Sequence, residues 1–195
     1  MKTIIFDIDG TLTDMCLIEK AVLNSMTNYK YSKEIEDLKE EISDTFLVYK
    51  KVAKNDLNKK DFAAKYNTVF KKLSKQKLLP KIPQYPMVSW IKKHKTKYNF
   101  VYATGGQKYE TEYVLQKLDI LQYFDLKNSI SKTTCRFKKK TGIPFRLIKK
   151  AYSNCFLVTD SYFDCLGAKL ENMPYKHIGK KDKETLHWGS EKFFG

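Results

Sequence analysis

Three aspartates stand where short apolar runs end, and that placement is the first sign of chemistry in the chain. Thr3-Ile4-Ile5-Phe6 runs into Asp7-Ile8-Asp9-Gly10, and Cys155 to Val158 runs into Thr159-Asp160. A third run, Asn99 to Ala103, ends in Thr104-Gly105-Gly106. Open parallel sheets present their functional residues at the carboxyl ends of strands, where ligands bind. Asp7, Asp9 and Asp160 would then converge on one edge of the sheet. Carboxylates so placed repel one another unless a cation intervenes, and a hard divalent ion with oxygen ligands is the natural partner. Magnesium suits such a set, because it keeps waters and shares itself between carboxylates and a phosphate. Each aspartate capping a following helix is the plainer alternative; it accounts for one of these sites better than for all of them.

The elements that would position these residues follow from periodicity. Met1 to Asp7 reads as a buried strand. From Met15 to Leu79 there is neither glycine nor proline, and apolar residues recur every three or four positions: Leu17-Ile18, Ala21-Val22, Met26, then Ile35, Leu38, Ile42, then Phe62, Tyr66, Val69-Phe70, Leu73. That spacing predicts three or four amphipathic helices. Pro80, Pro83 and Pro86 mark a boundary. Beyond it a helix begins at Val88 to Ile91, Asn99 to Ala103 is a strand, Tyr109 to Leu118 and Phe145 to Ala151 are helices, Cys155 to Thr159 is a strand, Phe163 to Leu170 a helix and Tyr175 to Ile178 a short strand. Strands alternating with helices predict an α/β fold with a doubly wound, Rossmann-like parallel sheet. Residues 1–14 and 80–195 would form this core, with 15–79 inserted as an all-helical cap. The tail after Gly179, with Trp188, Phe193 and Phe194, is given no place.

Composition narrows the field. The formal charge is +15, yet Arg136 and Arg146 are the only arginines, and the lysines are spread along the chain. Readers of phosphate and bases draw heavily on the bidentate arginine fork, so a lysine bias on solvated faces is preferred to a nucleic-acid surface. Such a field would still attract a small anionic substrate. Cys16, Cys135, Cys155 and Cys165 lack metal-ligand spacing and read as free thiols. No apolar run approaches the ~20 residues of a membrane helix. Ile4-Ile5-Phe6 is broken at once by Asp7 and Asp9, unlike a secretory leader, so a cytoplasmic location is expected.

Asp7-Ile8-Asp9-Gly10-Thr11 resembles the first motif of the haloacid dehalogenase superfamily, D-x-D-G-T. Thr104 resembles its second, a hydrophobic strand closed by threonine or serine; a lysine near Lys140 stands for the third; and Thr159-Asp160-Ser161-Tyr162-Phe163-Asp164 is similar to the fourth, usually G-D-S-x-x-D. The likeness spans roughly residues 3 to 179, and the helical insertion looks like the cap of the phosphoglycolate phosphatase and β-phosphoglucomutase branch. The resemblance implies that Asp7 attacks phosphorus and that Asp9 protonates the leaving oxygen and later activates water. It implies phosphoryl binding by Thr104, Gly105 and Lys140, and magnesium held by Asp7, Asp9 and Asp160, with Asp164 orienting that shell or binding Lys140. Strand alternation would set Asp7 and Asp9 on one side with Ile8 toward the core, and Gly10 would permit the sharp exit. The second aspartate favours phosphate esters over carbon–halogen bonds, because a halide needs no acid.

Two departures from the pattern matter. Thr159 replaces the usual glycine, where it crowds the metal site or donates a hydroxyl to it; simple tolerance of the extra bulk is the preferred reading. Lys138-Lys139-Lys140 offers three lysines without the usual following proline, and Lys140 is the one chosen. The expected activity is hydrolysis of a small phosphorylated metabolite, with a phosphomutase, a phosphonate hydrolase or a nucleic-acid-binding protein as alternatives. The helical segment is expected to act as a lid over Asp7, with Lys50 and Lys51 as candidates to meet the substrate. Neither the substrate nor the oligomeric state is legible.

Overall fold

Thr3–Phe6 forms β1, a strand buried at all four positions and central to the sheet of the computed structural model, which describes residues 1–54 and 56–179. Asn99–Tyr102 (β2) and Cys155–Thr159 (β3) pair with it in parallel on either side, and Tyr175–His177 (β4) adds to β3, giving the order β2-β1-β3-β4. The register sets Phe6 opposite both Tyr102 and Val158. The strands therefore end level, which brings Asp7, Ala103-Thr104 and Thr159-Asp160 to one edge.

Eight α-helices lie between or after the strands in chain order among the described residues: Cys16–Met26 (α1), Ser32–Glu41 (α2), Thr45–Ala53 (α3), Lys59–Lys75 (α4), Pro86–Lys93 (α5), Lys108–Lys117 (α6), Ile143–Lys149 (α7) and Tyr162–Leu170 (α8). On one face Ile5, Val101 and Leu157 pack with Phe145 and Ile148 of α7 and Ala168 of α8. On the other, the Phe6 ring lies 5.9 Å from Phe100, and Trp90 of α5 meets Phe100 edge-on at 6.1 Å. Cover on both faces is why the strands read as continuous apolar runs rather than alternating ones. The α/β, Rossmann-like class anticipated from the periodicity is the class observed. Two short 3-10 turns, Leu121–Tyr123 and Lys139–Thr141, and a bridge from Ala103 to Ile130 were not anticipated. The tail after Gly179 lies outside the described residues.

The chain divides into two compact units, Met15–Ile82 and the described residues on either side of it, Met1–Asp14 with those from Pro83 onward. The helical unit packs α1 against α2 and α4. Ile18, Val22 and Leu23 of α1 and Phe62, Tyr66, Phe70 and Leu73 of α4 are buried, the one-sided stripe that the three-to-four spacing requires. Two of its helices, α3 and α4, start on side-chain caps: Asp44 accepts from the Phe46 and Leu47 amides, and Asn58 from those of Lys60 and Asp61. Charge is unevenly divided there. Positions 45–82 carry eleven lysines and two carboxylates, and all eleven lysines are exposed. Among the described residues no helix is long and apolar enough to cross a membrane.

Candidate functional site

β1 stops at Phe6, and the chain then coils tightly through Ile8 to Thr13. The Leu12 amide donates to the Ile8 carbonyl at 2.9 Å and the Gly10 amide to that of Thr13 at 2.7 Å. Because the strand has ended, alternation does not carry on to Asp9: Asp7 and Ile8 are both buried, whereas Asp9 is exposed. Gly10 holds φ at +73°, and a Cβ there would lie 1.9 Å from Asp160 Oδ2. Only glycine satisfies both demands. Thr11 fixes Asp160 from the same turn, its hydroxyl accepting from the Asp160 amide at 3.1 Å and lying 3.4 Å from Oδ1.

Asp7 is held through Oδ1. Oδ1 accepts from the Ile8 amide at 2.9 Å and from the Lys139 ammonium at 2.7 Å, and the Thr159 hydroxyl lies 3.4 Å from Oδ2. Lys139 also pairs closely with Asp164, which accepts from Thr159 Oγ1 at 3.0 Å. The lysine brought to Asp7 is thus Lys139 and not Lys140, whose ammonium is exposed and lies 6.0 Å from the Phe163 ring centroid. The cause is backbone docking. Gly167 of α8 lets the Lys139 carbonyl approach to 2.0 Å from where a Cβ would stand, and that contact turns Lys139 inward. Asp164 accordingly binds Lys139 rather than Lys140.

Burial pulls the Lys139 ammonium down, but Asp7 and Asp164 outweigh it and the net shift is upward. Burial pushes the Asp164 carboxyl up to about 7 against the pull of Lys139, with the charge of Asp7 adding to the push. A single ammonium can fully offset only one of two carboxylates, and the more deeply set one resists ionisation. Tyr85 was not singled out from the sequence. Its amide donates to the Leu12 carbonyl at 3.0 Å, and burial, then the charges of Asp14, Asp9 and Asp160, push its phenol up.

Thr104 is buried at the end of the second strand's run, and its hydroxyl accepts from the Gly106 amide at 3.1 Å, folding Thr104-Gly105-Gly106 into a turn. A Cβ at Gly105 would meet nothing within 4 Å, so no packing within the chain demands glycine there.

Among the described residues no group of three or more His, Cys, Asp or Glu side chains stands ready-made to hold a metal ion. The donor chemistry nonetheless suits magnesium. Asp7 and Asp160 present carboxylate oxygens from adjacent level strand ends, and Gly10 leaves space beside Asp160 that a Cβ would fill.

The family model of the haloacid dehalogenase-like hydrolases matches residues 1–170. The chain belongs to that family. Solved structures of similar fold include a family IA haloacid dehalogenase hydrolase from Entamoeba histolytica, 15% identical over 92% of this chain and 84% of that one, with a TM-score of 0.64. A protein from Clostridium difficile provisionally assigned as a phosphatase is 21% identical over 91% and 84%, at 0.65. One from Lactobacillus plantarum provisionally assigned as a phosphoglycolate phosphatase is 18% identical over 90% and 86%, at 0.64. None of the curated proteins matches. For a haloacid dehalogenase-like hydrolase, the residue hardest to identify from sequence was the lysine; the signal that points to it is Gly167, one helical turn beyond Asp164.

Proposed function

We propose that this hydrolase is a magnesium-dependent phosphatase that removes phosphate from a small metabolite through an aspartyl-phosphate on Asp7. The observation that carries the reading is the pairing of a buried, lysine-held carboxylate, Asp7, with an exposed one two residues on, Asp9. A nucleophile needs fixing, whereas a group that exchanges protons with substrate and water needs access.

In the first step an Asp7 oxygen forms a bond to phosphorus as the ester P–O bond breaks, and Asp9 gives its proton to the departing oxygen. In the second, Asp9 takes a proton from water, the hydroxide adds to phosphorus, and the acyl-phosphate bond breaks to return Asp7 and release inorganic phosphate. Lys139 offsets charge beside Asp7 in both steps, and the Thr104 turn offers a hydroxyl and amides for the phosphoryl oxygens. Asp7, Asp9 and Asp160 would hold magnesium, which supplies charge neutralisation at the phosphoryl group.

The helical unit is assigned the part of a cap that selects the leaving group, and the cytoplasm is taken as the working location. A phosphomutase is the second reading, favoured by the fold likeness to a Thermotoga maritima protein provisionally assigned as a β-phosphoglucomutase (15% identical, TM-score 0.64). Phosphate release should be measured across a panel of phosphorylated metabolites, with magnesium and then with EDTA. Asp7→Asn, which keeps the shape and loses the nucleophile, should abolish turnover, and EDTA should stop it reversibly. Substantial activity in either case would refute the scheme. Turnover that depends on added sugar bisphosphate would favour the mutase.

A further inference from the structure

We infer that Thr159 is a positioning residue for the attack by Asp7, its hydroxyl closing a ring of polar contacts through Asp164 and Lys139; the inference rests on the phosphatase reading above.

The ring runs from Asp7 Oδ1 to the Lys139 ammonium at 2.7 Å, from Lys139 to Asp164 Oδ2, from there to Thr159 Oγ1 at 3.0 Å, and back to Asp7 Oδ2 at 3.4 Å. A threonine hydroxyl has one proton and two lone pairs. One lone pair accepts from the Ser161 amide at 3.1 Å, which leaves the proton for a carboxylate. Distance decides which. At 3.0 Å the bond to Asp164 is at the long end of the O–H···O range, and 3.4 Å to Asp7 lies beyond it. The proton therefore belongs to Asp164, and Thr159 acts on Asp7 mainly by holding Asp164 where it can share Lys139.

Placement supports the assignment. Thr159 is fully buried, its carbonyl accepts from the Ile178 amide at 2.8 Å, and its backbone is registered against His177. A β-branched residue on a fixed strand has little χ1 freedom, so the hydroxyl direction is set by the backbone. Bulk alone would not need a hydroxyl that both accepts from the Ser161 amide and donates to Asp164, so tolerance of the extra atoms, the reading preferred from the sequence, explains less. Glycine would offer no donor here, valine would keep the shape without one, and serine would keep the donor with a looser torsion.

The test combines steady-state kinetics on the best substrate of the panel with urea unfolding of the metal-free protein. Thr159→Val and Thr159→Gly should each lower kcat by about tenfold or more with KM changed by no more than about threefold, while Thr159→Ser retains at least about a third of wild-type kcat. In unfolding, the effect of Thr159→Val should shrink by about half or more in an Asp164→Ala background, which removes the acceptor, since the two side chains share one bond. Wild-type kcat in any folded variant lacking the hydroxyl would overturn the inference. So would a serine variant as slow as valine, or full additivity in the unfolding cycle. A wild type that releases no phosphate from any substrate, with the cycle non-additive, would refute the phosphatase reading and the catalytic part of the inference while leaving the ring itself in place.

Discussion

Lys139 sits between two carboxylates that have no other reason to tolerate one another so deep in the protein. Its removal would expose Asp7 to Asp164 and take away the cation nearest the proposed nucleophile. Lys139→Ala should therefore lower kcat by about 100-fold or more, the scale of losing one preorganised electrostatic partner. Lys140→Ala should stay within about twofold, because its exposed ammonium lies over the exposed Phe163 ring and away from Asp7 and Asp164, which pair with Lys139. Kinetics of the two alanine variants at saturating magnesium decide between them, and inactivation of the Lys140 variant alone would reverse the assignment. At this scale the sequence revealed which side-chain types meet but not which copy of a repeated type. Asp7, Thr104 and Asp160 follow apolar runs and could be located at once. The lysine sits in a triplet with no periodicity, and its choice depends on a contact with Gly167 far along the chain.

That contact also joins whole elements. The Lys139–Thr141 turn docks on α8 through Gly167, where an added Cβ would meet first the Lys139 backbone carbonyl, which cannot swing away, and then the buried Phe145 ring. Gly167→Ala tests the closeness directly. Alanine favours a helix interior by about 1 kcal/mol, so an uncrowded site would be stabilised. The clash predicts the opposite sign, a loss of about 1–3 kcal/mol, with activity falling further because Lys139 is displaced. Urea unfolding gives the sign, and a more stable variant would show that the approach is not tight. Helices and strands were largely legible because their apolar residues recur at fixed intervals. Ile130 was not: it pairs with Ala103 as an isolated bridge, its amide donating to Tyr102 and its carbonyl accepting from Thr104, and a one-residue pairing leaves no pattern to read.

For the molecule as a whole the lysines matter through their distribution. Read along the chain they look evenly spread, yet the α3–α4 half of the helical unit gathers eleven against two carboxylates, while positions 15–44 hold four lysines and seven acids. Like charges on one surface repel most when unscreened, and the screening length drops several-fold between dilute and concentrated salt. Melting of the metal-free protein should rise by about 1–2 °C between 20 mM and 500 mM sodium chloride, as expected if about half a kcal/mol of repulsion is relieved. A lower melting temperature in salt would mean that ion pairs such as Lys39–Glu19, 2.6 Å apart, outweigh the repulsion. The sheet order carries a different kind of consequence. β1 is made early but lies between two partners that come later, β2 nearly 100 residues on and β3 about 150. At ribosomal speeds of about 5–20 residues per second, its four buried residues wait roughly 5–20 s for one neighbour and roughly 8–30 s for the other. Asp7 thus leaves the ribosome long before Lys139, Thr159 and Asp164, and a nascent chain holds the proposed nucleophile on a sticky, unpaired strand with none of the residues that would make it react. Birth order alone keeps the chain chemically silent until β3 arrives, and makes that interval the time when a chaperone would matter most.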